Sequence, residues 1–315
     1  MTLLLRQDEV AGLLDLPTAI TVTERLFQEQ AAGDLLPSAP RLLRLRHGTM
    51  RMVAGALQGT GRAGARLSVS GDEPPVALLY DTESGRLLSI QAYPYSSLRI
   101  GATVALAVRR LAPEQVPTVG LIGSGRNAPS LLEGVCWARP EVREVRVFSR
   151  QGEHRERFAR AMQSALDRSV VAVDSGQRAV QGAQVVLTAT DPREPVVLGE
   201  WLRPGQCVVS IGRPNELAAD VYRRADLVIV TNLAHEQDYY DRALDQPLRD
   251  LVARGEVRWH ELGAVLAGRV PLPAAAEEAL VVVRESQGGV GDVALAAWVY
   301  ERARELGLGQ EWSFG

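Results

Sequence analysis

At 315 residues, with 46% hydrophobic and 23% charged side chains, the chain has the length of two ordinary domains and the apolar content for a sizeable core. A net charge of −3 gives no electrostatic case for nucleic acid or an anionic membrane as partner. All 35 residues in the Lys+Arg total are Arg, which excludes Schiff-base and acid/base chemistry on lysine.

In chain order, Leu3-Leu4-Leu5 reads as a short strand, and Leu16 to Ala32 as a helix with Pro17 in its first turn. Short alternating or apolar runs follow at Leu42–Arg46, Thr49–Ala54, Ala63–Val69 and Val76–Tyr80. The turn Asp81–Gly85 then leads to Leu87–Ile90, and together these predict a small sheet. Ser96 to Leu111 is a predicted helix, and Ala112 to Pro117 a linker.

From Thr118 to about Gly289 strands and helices alternate, the pattern of a parallel sheet flanked by helices. Expected strands are Val142–Phe148, Val170–Val173, Val185–Thr190, Gln206–Ile211 and Leu227–Val230; Glu153–Leu166 is a helix, and Ala179–Gln184 a connection. Asp292 to Leu306 is expected as a closing helix with Asp292 as its N-cap.

The organising stretch is Thr118 to Ser130: an apolar strand, then Gly123-Ser124-Gly125-Arg126-Asn127-Ala128, then an apolar helical pattern from Leu131. In that context Gly123 permits the tight turn, Gly125 lets backbone N–H groups approach a pyrophosphate, and Ala128 lets the helix pack close on the strand. The positive helix end then faces the phosphates. The next strand ends in Ser149-Arg150, where an NAD site would carry an acidic residue for the ribose hydroxyl. A guanidinium and a hydroxyl there favour NADP(H), with NAD(H) possible and a solvated turn as the alternative for Arg150. Thr188-Ala189-Thr190 at a strand end is placed to line the cofactor, though strand termination also explains it.

The ordered segments VGLIGSGRNA, VREVRVFSR, AVQGAQVVLTAT, EWLRPGQCVVSIG, ELGAVLAGR and GDVALAAWVYERA resemble the ornithine cyclodeaminase and mu-crystallin family. So do ARLSV, LLYDTESGRLLSIQA and SSLRIGATVALAVRRLA in the first part of the chain. The resemblance implies an α/β protein with two domains. One is a Rossmann-type, doubly wound parallel-sheet domain over 116–291; the other is a mixed α+β substrate-binding and dimerisation domain over 1–115 with 292–315. It further implies a homodimer using NADP(H) or NAD(H) on a small amino, imino or keto acid. Three activities stay open: hydride transfer, ornithine cyclodeamination, and nucleotide binding without catalysis.

By the same resemblance Arg41 (or Arg44 or Arg46 under a shifted alignment), Arg66 and Arg99 hold the substrate carboxylate, and Gly212 and Gly291 join the cofactor site. Two departures stand out. The family's lysine is replaced by Arg66, which does not release a proton near neutral pH. The family's catalytic aspartate after VVSIG has no equivalent in Gly212 to Asp220, leaving Glu216 and Asp220 as candidate substitutes, each equally a helix-start carboxylate.

Cys136 and Cys207 read as core residues in a reducing compartment, and the absence of an opening signal or long apolar run reads as cytoplasmic. The four histidines show no metal-ligand spacing. His235-Glu236-Gln237-Asp238 reads as a solvated loop with the potential to reach a cleft.

Overall fold

The computed structural model describes residues 1–238, 245–286 and 288–314. The elements, in chain order, begin with β1 (Thr2–Leu5), α1 (Gln7–Leu13), α2 (Leu16–Ala32), β2 (Leu35–Pro37), β3 (Arg41–Arg44), β4 (Thr49–Leu57), β5 (Arg62–Val69), β6 (Val76–Asp81) and β7 (Leu87–Ala92). Next come α3 (Tyr95–Leu111), β8 (Thr118–Ile122), α4 (Ala128–Ala138), β9 (Glu144–Phe148), α5 (Gly152–Leu166), β10 (Ser169–Ala172), α6 (Gly176–Val180), β11 (Val185–Thr188) and β12 (Gln206–Ser210). The remainder are α7 (Ala219–Arg224), β13 (Leu227–Val230), α8 (Leu233–Asp238), α9 (Pro247–Ala253), β14 (Trp259–Glu261), α10 (Leu262–Leu266), β15 (Leu280–Arg284), α11 (Gly289–Leu306) and β16 (Gln310–Trp312).

Two units emerge. The first comprises Met1–Ala102 with the described residues of 232–239 and 287–315; the second comprises Thr103–Thr231 with those of 240–286.

The first unit is a mixed eight-stranded sheet in the order β16-β1-β7-β6-β5-β4-β2, with β3 also on β4. Helix α2 shows why it forms and stops. Asp15 Oδ1 accepts from Thr18 N at 2.9 Å, Pro17 occupies the first turn where its missing N–H is harmless, and Gly33 ends the helix at φ 85°. Its Ile20, Thr23, Leu26 and Phe27 recur at helical spacing and are buried.

Helix α11 packs on β4 and β5 through glycines on both sides. A Cβ on Gly289 would overlap the Ala54 backbone, and one on Gly64 would overlap the Leu78 carbonyl and press on Val293. That close approach starts the helix at Gly289 with Gly288 as N-cap. The sequence expectation of Asp292 as N-cap is therefore corrected: Asp292 sits inside the first turn, 2% exposed.

The second unit is an all-parallel sheet in the order β10-β9-β8-β11-β12-β15-β13-β14. Strands β11, β12, β13 and β15 are buried along their whole length, as a parallel sheet covered on both faces requires. The order through β12 is that of a doubly wound nucleotide fold, which reverses direction between β8 and β11. Two strands escaped the sequence reading, β14 and β15, and β15 inserts between β12 and β13. The expected connection at Ala179–Gln184 is partly α6, capped by Ser175.

Cys207 is fully buried, and burial pushes its thiol up to about 12. Native protein treated with a neutral-pH alkylating reagent is therefore expected to leave Cys207 unmodified until unfolding, read by peptide mass mapping. No described helix is long and apolar enough to cross a membrane.

Candidate functional site

In the second unit, β8 runs into Gly123, whose φ of 107° only glycine adopts without strain. A Cβ there would also overlap the Ala189 carbonyl on the neighbouring β11 turn. Gly125 is different: a Cβ there would meet no protein atom, so packing does not require its bareness. An open, exposed backbone between two small residues and the start of α4 is what close approach of a pyrophosphate needs. Ala128 is fully buried as the first residue of α4, Asn127 is its N-cap, and Arg126 is exposed.

Beside this turn lies a cavity of about 510 Å³ lined by Gly123, Phe148, Ser149, Arg150, Pro192 and Arg193, among others. Its lining combines apolar side chains such as Ile122, Phe148 and Val196 with two arginines, Arg150 and Arg193. The end of β9 is fixed from behind: Arg155 Nη1 donates to the Ser149 carbonyl at 2.7 Å, and its guanidinium lies 5.4 Å over the Phe148 ring. Ser124 Oγ donates to Ser149 Oγ at 2.9 Å and lies 2.8 Å from His154 Nδ1, so the glycine turn and the strand end are coupled.

Glu216 is fully buried and receives five hydrogen bonds. They come from Thr188 Oγ1 (2.7 Å), Thr190 N (2.5 Å), Thr190 Oγ1 (2.6 Å), Ser210 Oγ (2.6 Å) and Gly212 N (2.8 Å). A carboxylate offers about four lone-pair directions, so these donors saturate it. Arg284 at the end of β15 lies 4.0 Å away and donates to Ser210 Oγ at 2.6 Å. Glu216 thus ties the carboxyl ends of β11 and β12 to each other and to β15, and has no lone pair to offer a substrate.

Asp220 is likewise engaged, accepting from Gly199 N at 3.1 Å in the first turn of α7. Both candidate acids are structural ties in this geometry. Of the other expected cofactor residues, Thr190 lines the cavity, whereas the Thr188 hydroxyl and the Gly212 N–H are spent on Glu216. Ala189 packs its carbonyl against Gly123. Gly291 lies inside α11 in the first unit.

In the first unit, Arg66 on β5 and Arg99 on α3 converge on Asp292 of α11. Arg66 Nε donates to Asp292 Oδ2 at 2.6 Å, and Arg99 Nε lies 3.2 Å from Oδ1. All three side chains are at most 8% exposed. Tyr95 and Gln91 brace the cluster: the Tyr95 hydroxyl donates to Gln91 Oε1, and Gln91 Nε2 donates to Ser89 Oγ and to the Ala296 carbonyl, each at 2.8 Å. Burial, then Tyr93 and then Asp292 push the Tyr95 phenol well above its ordinary value, so it remains protonated.

Arg41 is not brought to this cluster. It pairs with Met52, which pairs with Leu67, so its side chain leaves the sheet on the face opposite Arg66. Arg44, opposite Thr49, lies on the Arg66 face. The sequence reading missed the part played by Asp292, whose one signal was a lone carboxylate among Val290, Val293, Ala294 and Leu295. The segment expected as a solvated loop at 235–238 is instead part of α8, with His235 and Glu236 buried. Among the described residues no cluster has the ligands for a metal ion.

Residues 61–307 match the ornithine cyclodeaminase/mu-crystallin family. The ketimine reductase mu-crystallin of Mus musculus is 31% identical over 229 residues, covering 71% of this chain and 68% of that protein. A Delta(1)-pyrroline-2-carboxylate reductase of Bacillus cereus is 27% identical over 246 residues, covering 76% and 74%. An archaeal alanine dehydrogenase dimer with bound NAD superposes with a TM-score of 0.86 at 25% identity, covering 100% of this chain and 99% of that one. The stretches aligned to the curated relatives span between 65% and 98% of their lengths. With an α/β fold built on a parallel nucleotide-type sheet and a mixed sheet, and with this match over most of its length, the chain belongs to the ornithine cyclodeaminase/mu-crystallin family.

Proposed function

We propose that this chain is an NADP(H)-preferring oxidoreductase that reduces a small imino acid, such as a cyclic ketimine, or a keto acid. The observation that carries the reading is the Arg66–Asp292–Arg99 cluster. Two buried guanidinium groups, the side-chain type that best holds a substrate carboxylate, meet at one carboxylate of the chain. Asp292 meets both arginines at Nε. The ketimine and pyrroline-2-carboxylate reductase relatives support the substrate class.

The second unit takes the cofactor in this reading. Backbone at Gly123 to Ala128 holds the pyrophosphate, Ser124 and Ser149 orient the ribose, and Arg150 pairs with the 2′-phosphate. When bound, the nicotinamide supplies the hydride. In this reading the side chains bind and orient: Arg66 keeps its proton, Glu216 is saturated by its donors, and Asp220 accepts from Gly199 N. The substrate that fits is an imine already protonated in solution, which needs only hydride. A homodimer is part of the proposal, supported by the dimeric relative and by exposed Leu36, Leu42, Leu43 and Leu45 around the β2 and β3 edge.

The test follows nicotinamide absorbance with NADPH and NADH against cyclic imino acids and against pyruvate plus ammonia, with ornithine assayed separately for proline. Oxidation of NADPH by an imino acid supports the reductase, and proline with ammonia from ornithine without net cofactor consumption replaces it with a cyclodeaminase. The committed state of Glu216 and Asp220 favours a second reading, nucleotide binding without catalysis, which predicts bound NADPH and no turnover. Arg150→Ala is expected to weaken NADPH about 10- to 100-fold while NADH changes little, read by nicotinamide fluorescence titration. Equal losses for both nucleotides would remove Arg150 as the phosphate reader.

A further inference from the structure

We infer that Arg193 is a second specificity-determining residue for the phosphorylated nucleotide, gripping the 2′-phosphate of NADP(H) from the wall of the cavity opposite Arg150. The inference rests on the NADP(H) reading above and deepens it, since Arg150 alone does not make that cavity favour an anion. Four charged side chains line the cavity beside the glycine turn: Arg150, Asp191, Arg193 and Glu194. Asp191 is paired with Arg213 from the segment after β12, so its charge already has a partner. Arg150, Arg193 and Glu194 remain. Without Arg193 the charges of Arg150 and Glu194 cancel, and with it this lining keeps one positive charge for a phosphate.

Sheet topology brings the two arginines to one place. Strand β8 runs between β9 and β11, with Ile122 opposite Phe148 on one side and Thr188 on the other. Neighbouring strands lie about 4.8 Å apart, so the ends of β9 and β11 are about 10 Å from each other across the glycine turn. Arg150 follows the first and Arg193 the second, and both line the same cavity. A phosphate offers three acceptor oxygens, and a planar guanidinium takes them in pairs; two such forks on opposite walls hold one phosphate from both sides.

The backbone around Arg193 is held from several directions. Thr190 donates through N and Oγ1 to Glu216 Oε1, at 2.5 and 2.6 Å. Asn215, 4% exposed, donates through Nδ2 to the Pro192 carbonyl at 3.4 Å and to the Arg193 carbonyl at 3.1 Å. The side chain is treated in the opposite way. Among the described residues the guanidinium groups of Arg193 and Arg150 have no hydrogen bond or ion pair, and both residues are exposed. Arg155, by contrast, is engaged on the Ser149 carbonyl and the Phe148 ring. A backbone fixed in advance lowers the ordering cost of binding, so an arriving phosphate has only the two side chains to settle.

The experiment titrates NADPH and NADH by nicotinamide fluorescence in the parent, Arg193→Ala, Arg193→Lys and Arg150→Ala. The ratio of the two affinities is the readout, because general damage to the fold cancels in it. Arg193→Ala is expected to lower the preference for NADPH roughly tenfold with NADH binding unchanged. Arg193→Lys keeps the charge but not the fork, and should recover part of that loss. Equal weakening of both nucleotides in Arg193→Ala would mean that the residue packs on a part they share, such as the adenine. That result, or no change at all, would overturn the assignment of Arg193, while a shifted ratio in Arg150→Ala would leave the cofactor reading intact. NADPH that fails to bind the parent, or a ratio unmoved in both alanine variants, would overturn the two together.

Discussion

Asp292→Asn is expected to lower the stability of the first unit by about 3–5 kcal/mol, the usual consequence of removing one partner from a buried ion pair. The reason is specific to this site. Arg66 and Arg99 are each about as buried as Asp292, and neutralising the carboxylate removes the anion that both guanidinium groups meet. Chemical denaturation followed by circular dichroism measures this, read as the first transition if the two units unfold separately. Asp292→Glu, which keeps the charge on a longer arm, should recover part of the loss. A parent-like denaturation curve for Asp292→Asn would mean that the cluster contributes no net stability. Under the proposed function the same variant raises KM for the acid substrate more than it lowers kcat, because the arginines lose the anchor that orients them.

A second large effect is expected at Glu216. Its five donors and the nearby Arg284 are arranged around two carboxylate oxygens, and Glu216→Gln places an amide N–H against donors that cannot turn away. The loss should be about 3 kcal/mol or more. Nucleotide affinity should fall with it, since the turns after β11 and β12 lose their tie and the Ala189 carbonyl that packs on Gly123 is released. The shape of any pH–rate profile should stay that of the parent. If Glu216→Gln instead kept full stability and lost one limb of the profile, Glu216 would be a proton-transfer group after all.

How much of this the sequence made legible varies with the physical origin of each feature. The glycine turn was readable because backbone conformation at Gly123 and close packing at Ala128 leave a local imprint on residue type. Strand β13 was readable to the residue because a wholly buried parallel strand is a continuous apolar run. Strand β15 carries the same kind of run, Leu280 to Val283, yet nothing local announces that it enters the sheet between β12 and β13.

The site residues divide in the same way. Arg66 and Arg99 were found through resemblance, and the structure brings them to one carboxylate. Arg41 stays apart from that carboxylate for a geometric reason: strand pairing sets its face, and a one-residue shift moves a side chain to the other side of a sheet. Glu216 looked like a free acid in a shortened loop because its five hydrogen bonds come from β11, β12 and the turns after them, up to 28 positions away in sequence. Asp292 looked like a helix cap because an aspartate after glycines usually is one, and the arginines that claim it come from β5 and α3.

The first unit is assembled from both extremes of the chain. Strand β1 pairs with β16 (Thr2 opposite Trp312), and Asp292 on α11 meets Arg66 from β5. During synthesis the early strands therefore emerge well before the elements that complete them, and the parallel sheet of the second unit is translated in between. Contacts so distant in sequence form slowly. The arginine clamp is consequently a late part of the protein to mature: until α11 leaves the ribosome, Arg66 and Arg99 have no Asp292 to hold them. A nascent chain could gain its nucleotide cradle before it could grip an acid.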